Sequence, residues 1–198
     1  MNNTLDLLFG GPPRVRVMRL FISNGGAVFA IKEVVKRSKI PLSRAGKELS
    51  LLKNVGLLKQ KQTIYKNRKT KGWQLNDEFH LLKPLSLLLS GDRPEITRKL
   101  VHLFKPMGRI RLLIISGIFL GRDDSRADLL VVGDALKAPR VETLIKKIEA
   151  ELGREIIYAV CDTEEFTYRL NAYDRFIRDI LDYPHETLLD KMGGQYKT

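Results

Sequence analysis

The sequence predicts a two-domain α+β / α/β chain: a small helical domain closed by a basic β-hairpin, then an α/β domain on a small mixed sheet. Three observations carry this. The excess of positive charge is confined to the first part. Three stretches of helical spacing there are followed by two short strands. The last 90 or so residues alternate strands with amphipathic helices. At 198 residues the chain has room for one large or two small domains. A chain of this size buries roughly 70% of its unfolded surface, so it needs no covalent staples. Its 43% hydrophobic and 29% charged residues are a globular composition.

Cys161 is the only cysteine, which excludes an intrachain disulfide and a cysteine-rich zinc site. A cytoplasmic location is expected. The longest apolar stretch, Leu112 to Leu120, has nine residues, against the roughly 20 that cross a bilayer. The start, Met1-Asn2-Asn3-Thr4-Leu5-Asp6, lacks the basic region of a signal peptide. No membrane partner is expected from a spanning segment.

The net charge of +12 is unevenly placed. Residues 1–75 hold 16 Lys/Arg against Asp6, Glu33 and Glu48, a net of +13; residues 76–198 are close to neutral, at −1. A segment this basic attracts a polyanion. Nucleic acid is the main candidate and an anionic membrane surface the lesser one.

Element by element, Asn3 to Phe9 suits a short helical turn, ended by Gly10-Gly11-Pro12-Pro13. Val15, Met18, Phe21 and Ile22 give a helix over Arg14 to Ser23, stopped by Asn24-Gly25-Gly26. Ile31, Val34 and Val35 give a second over Ile31 to Ser38, and Lys39-Ile40-Pro41 is a break. Ser43 is the expected N-cap of a third helix reaching about Asn54, with Ala45, Leu49 and Leu52 as its buried stripe. Gly46 inside it costs roughly 1 kcal/mol against Ala. Leu57 to Thr63 and Lys71 to Leu75 read as paired strands around a basic loop, Ile64 to Thr70, with Trp73 in the core below.

Helix, helix, break, helix and basic hairpin is the order of a winged helix-turn-helix, and residues of about 10–76 resemble that superfamily of transcription regulators. The resemblance implies a DNA-binding regulator of transcription acting on double-stranded DNA. A helix fits the major groove and its exposed polar side chains reach base edges; Ser43, Arg44, Lys47 and Ser50 are the candidates. A basic hairpin contacts phosphate; Lys59, Lys61, Lys66, Arg68, Lys69 and Lys71 supply it.

Glu78 to Leu89 is a leucine-rich connector with more apolar residues than one stripe needs, so burial between domains or across a dimer is expected. A helix from Pro94 to Phe104 follows. Ile110 to Ser116, Asp128 to Val132 and Glu155 to Cys161 read as strands and Val141 to Leu152 as a helix. Asp162 to Leu181 reads as one long helix opened by a capping box, Asp162 and Glu165. The domains are thus 1–78, a connector 79–104, and 105–198.

Ser116-Gly117-Ile118-Phe119 followed by Asp124 to Val132 resembles the minimal nucleotidyltransferase family, over about residues 108–180. That family places Gly-Ser before Asp-x-Asp on a strand, because carboxylates at i and i+2 share a strand face and clamp divalent ions. Here Ile118 stands in place of the serine and Arg126 in place of the first aspartate. Asp128 alone remains, with Asp123 and Asp124 on the loop before it, and the third strand carries no interior carboxylate. Asp134 is roughly 20 Å farther along an extended strand, too far to share a metal. Gly117 and Asp128 are therefore expected to be a vestigial nucleotide or metal site, with no catalytic residue, metal or cofactor. The domain would sense a nucleotide or protein effector, or hold a homodimer. An active metal-dependent nucleotidyltransferase with a basic recruiting half, and a toxin–antitoxin component, are the alternatives.

Overall fold

The computed structural model describes residues 4–91, 93–122, 125–194 and 196. Among these it holds nine α-helices and two sheets, of three and four strands, a mixed α+β architecture. The chain divides into two compact units, residues 1–91 with 146–155, and residues 92–145 with 156–198.

The first unit begins with α1 (Thr4–Leu8) and α2 (Pro12–Ile22). Pro12 and Pro13 lie inside the first turn of α2, where a missing N–H costs nothing, so the helix starts earlier than its apolar spacing alone predicts. A two-residue strand β1 (Phe29–Ala30) leads into α3 (Ile31–Ser38), whose Glu33 carboxylate accepts the Ala30 N–H at 2.8 Å. Next comes α4 (Leu42–Asn54). Its N-cap is Pro41, with no side-chain cap, so Ser43 sits inside the first turn and does not cap. Val15, Val17, Phe21, Val34, Ala45, Leu49 and Leu52 close the core between the three helices.

Strands β2 (Leu58–Tyr65) and β3 (Arg68–Leu75) pair along their whole length, and β1 adds to β3 on the other side. The expected seven-residue loop is a two-residue turn. Tyr65 pairs with Arg68, and Lys66 and Asn67 take φ of 49° and 60°, the positive values a type I′ turn requires. Trp73 is half-buried against the core, under the hairpin as expected. Helix α5 (Leu82–Ser90) carries most of the connector's leucines. Only Leu89 is buried, with Leu82 and Leu85 packed on the same core, while Leu81, Leu87 and Leu88 are exposed. One stripe at spacing three and four meets the core and the remaining leucines point out.

Residues 146–155 complete this unit. A helix ends here, and its last carbonyls, which have no intrahelical donor, are taken by α2 and the turn after it. The Arg19 guanidinium donates to Glu151 O at 2.9 Å, Ser23 Oγ to Leu152 O at 3.3 Å, and Asn24 Nδ2 to Gly153 O at 2.7 Å. Arg16 pairs with the Glu151 carboxylate and Arg37 with Glu155.

The second unit contains α6 (Arg93–Phe104), β4 (Arg109–Ser116), β5 (Leu129–Asp134), the first part of α7 (Ala138–Leu152), β6 (Tyr158–Cys161), α8 (Thr163–Asn171), α9 (Arg175–Leu181) and β7 (His185–Asp190). The sheet order is β6-β5-β4-β7, with β5 and β6 parallel and the other pairs antiparallel. Leu112, Ile114, Leu130 and Val132 pack with Phe166 of α8 and Ile177 and Ile180 of α9. The alternate residues Leu113, Ile115, Leu129 and Val131 are equally buried, so both faces of the central strands are covered.

Three expectations are corrected here. The third strand is short, starting at Tyr158. The long C-terminal helix is two helices, because Tyr173 takes a left-handed φ of 54° and Asp174 caps a new start by accepting the Ile177 N–H at 3.1 Å. Strand β7, absent from the sequence reading, forms an edge on β4. The Asp162 cap is present, accepting the Glu165 N–H at 2.8 Å. No helix among the described residues is long and apolar enough to cross a membrane.

Candidate nucleic-acid interface

On α4 the buried stripe turns the other side chains outward. Ser43, Arg44, Lys47 and Ser50 are all exposed. At the end of the helix Lys53 Nζ donates to Gln60 Oε1 of β2 at 3.3 Å, which ties α4 to one face of the hairpin. Directly opposed residues of an antiparallel pair share a face, so the register sorts the hairpin cations. Lys69 and Lys71 lie with Gln60, Gln62 and Trp73, on the side that Lys53 reaches. Lys59, Lys61 and Arg68 lie on the other side, with Thr63 and Tyr65. Lys66 is at the turn, its ammonium 6.0 Å from the Tyr65 ring centre. All six are exposed except Lys59, which is half-buried. The predicted phosphate contacts are thus two groups on opposite faces rather than one cluster. Gln60, Gln62 and Lys53, polar side chains on the α4 side, were missed by composition; the alternation Leu58, Gln60, Gln62 is the signal that places them together.

The electrostatics follow from where the acids go. Glu33 is spent on the start of α3, Glu48 is held by Arg14 at 2.8 Å, and Asp6 is buried. The three carboxylates of residues 1–75 are therefore all engaged or enclosed, and none offsets the outer face of α4 or the hairpin. Three arginines of the same segment are also committed: Arg14 to Glu48, Arg16 to Glu151 and Arg37 to Glu155. Arg44, Lys47, Lys61, Lys66, Arg68, Lys69 and Lys71 form no ion pair with a described residue.

In the second unit the structure brings Gly117 and Asp128 together, as a lock. Asp128 is 3% exposed. Its Oδ1 accepts the Ile118 N–H and its Oδ2 the Ile157 N–H, both at 2.9 Å. Its backbone bridges the same neighbours: Ser116 N–H to Asp128 O and Asp128 N–H to Ile157 O, each 2.8 Å. Gly117 takes φ +52°, and a Cβ there would overlap the Asp128 carboxylate. Arg126 is exposed and lies 3.6 Å from Asp179. With Arg122, Ser125, Tyr183 and Pro184 it lines a surface pocket of about 190 Å³. Asp123 and Asp124 lie outside the described residues.

Thr163 Oγ1 donates to Asp134 at 2.7 Å and Arg111 at 3.1 Å, and these bonds hold that carboxyl below its usual range. Burial, reinforced by Glu165, pushes the Cys161 thiol up to about 11. Among the described residues no three His, Cys, Asp or Glu side chains are grouped to hold a metal ion. The chain matches no protein-family model, no curated protein and no solved structure, so the reading of this surface rests on its geometry.

Proposed function

We propose that this chain is a double-stranded-DNA-binding transcription regulator of winged-helix type, its second unit a nucleotidyltransferase-like domain without catalysis. The observation that carries the first part is the basic surface on α4 and the β2–β3 hairpin, beside which the three carboxylates of residues 1–75 are engaged or enclosed. The element order α2, β1, α3, α4, β2, β3 supports it: α4 offers an exposed polar face for a major groove, and the hairpin extends from the same side. The lock at Asp128 supports the second part. Each carboxylate oxygen accepts one backbone N–H in an enclosed position, and turning the group toward a metal would leave those two donors unpaired.

The test is a salt titration of DNA binding by the full chain. With about five to eight phosphates neutralised, the log–log slope is roughly −4 to −7 per monomer. No binding, or a slope near zero between low and moderate salt, overturns the reading. Incubation with labelled nucleoside triphosphates and Mg²⁺ or Mn²⁺ is expected to label neither the protein nor a nucleic acid; transfer of label would restore the enzymatic alternative.

A further inference from the structure

The feature left over from the DNA reading is a charge in the wrong place. Glu48 is the only acid in α4, and it sits on the inner side of the helix, among Ala45, Leu49 and Leu52, with its side chain 8% exposed. Its partner is Arg14 of α2, 34 residues earlier, whose Nε donates to Oε2 at 2.8 Å. The guanidinium also lies against Gly10 in the turn before α2, where a Cβ would come within 3.4 Å of Nη1 and φ is +80°.

For binding strength alone this arrangement is a liability. It takes an arginine out of play, neutralised by Glu48. For geometry it supplies a directional bond on the inner side of the helix, in addition to the exposed Lys53–Gln60 bond at its end. Ala45, Leu49 and Leu52 hold α4 by apolar contact, whose driving force is non-directional. A turn of about 20° moves the end of a side chain on a helix of roughly 6 Å radius by about 2 Å, enough to break a hydrogen bond to a base edge. A charge-assisted bond from a planar guanidinium is directional.

We infer that the Arg14–Glu48 pair sets the rotation of α4 about its axis, and so the aim of Arg44 and Lys47, making Glu48 a positioning residue for sequence discrimination. This rests on the DNA reading. It also follows that discrimination and stability separate, because a buried ion pair replaced by apolar side chains of similar volume often keeps or gains stability.

The experiment uses the full chain and two probes: a duplex enriched by the unaltered protein from a random-sequence pool, and a scrambled duplex of the same composition. The double variant Arg14→Met/Glu48→Leu leaves net charge unchanged, so its affinity for the scrambled duplex and its melting midpoint should stay near the starting values. Its affinity for the enriched duplex should fall at least about fivefold, the lower end of what one base contact is worth. Glu48→Asp keeps the charge but shortens the reach by one methylene, and should lose discrimination in the same direction, by less. A folded double variant or Glu48→Asp that keeps the original ratio between the duplexes overturns the proposal, as does an equal loss on both. If the unaltered protein enriches no sequence and binds neither duplex, the DNA reading itself fails and the proposal falls with it.

Discussion

Arg44 on α4 and Asp128 at the head of β5 show the same kind of group put to opposite uses. Arg44 is exposed and forms no ion pair with a described residue. Asp128 is enclosed, with a backbone donor on each carboxylate oxygen. A charged side chain acts on a partner through the hydrogen-bonding capacity it has left. Where that capacity is consumed inside the fold, the charge is structure, whatever motif surrounds it. The surface of α4 and the hairpin keeps its capacity in the open, and at the Gly117–Asp128 corner what is left of it is enclosed.

The sharpest break of this contrast is Asp128→Ala. It leaves the Ile118 and Ile157 N–H groups buried without acceptors, and is expected to cost about 3–5 kcal/mol. The chain carries a local probe in each unit: Trp73, its only tryptophan, in the first, and Cys161, its only cysteine, in the second. Urea unfolding followed by Cys161 alkylation should shift to lower denaturant in this variant; an unchanged midpoint would mean the carboxylate is not a lock.

On the other side of the comparison, Arg44→Ala or Lys47→Ala should leave melting unchanged. Each should cost roughly 1–3 kcal/mol on an enriched duplex and much less on a scrambled one. Equal losses on both duplexes would mean α4 is not the reading element.

The hairpin offers a finer cut. Replacing Lys69 or Lys71, on the α4 side, by Ala should flatten the salt slope by about one unit each, with the two duplexes weakened alike. Lys59 and Lys61, on the far face, should change it less. The reverse order would place the DNA on the opposite face of the hairpin.

Two smaller effects need no DNA. Burial holds the Cys161 thiol protonated up to about pH 11 in the folded state, above its unfolded range. The stability this contributes is constant below the unfolded thiol pKa and is lost as pH rises toward 11. Iodoacetamide at pH 8 should accordingly modify Cys161 slowly in the native chain and rapidly in denaturant. Asn67→Gly, at the left-handed second position of the hairpin turn, should raise the melting midpoint by the equivalent of at most about 1 kcal/mol.

Periodicity made the helices of the first unit legible, because Val15, Val34 and Leu49 each belong to a stripe that meets one core. It misjudged the hairpin, since Lys66-Asn67 carries no glycine to announce a tight turn, and it passed over β1, too short at two residues to show a period. The break at Tyr173 was readable in Asp174, a side chain suited to capping a new helix; the apolar stripe running across it concealed the stop. Strand β7 has little local signal, because its place is defined by β4, some 70 residues earlier. For the candidate site, exposure on α4 followed from the stripe. The division of the hairpin lysines into two faces needed the register, and the pairing of Arg14 with Glu48 needed the packing of two helices. The motif around Asp128 showed which residues would meet, and only the hydrogen bonds show what they do there.

The placement of residues 146–155 in the first unit has a consequence in time. The side chains of Arg16, Arg19, Ser23 and Asn24 are made early, but their partners at Glu151, Leu152 and Gly153 come more than 120 residues later. A ribosome adding about 5–20 residues per second needs roughly 3–12 s to go from residue 91 to residue 153. Through that interval the basic hairpin and α4 have already been synthesised, while α2 lacks the carbonyls that hold it. The first unit, first in the chain, is completed only after most of the second has been translated.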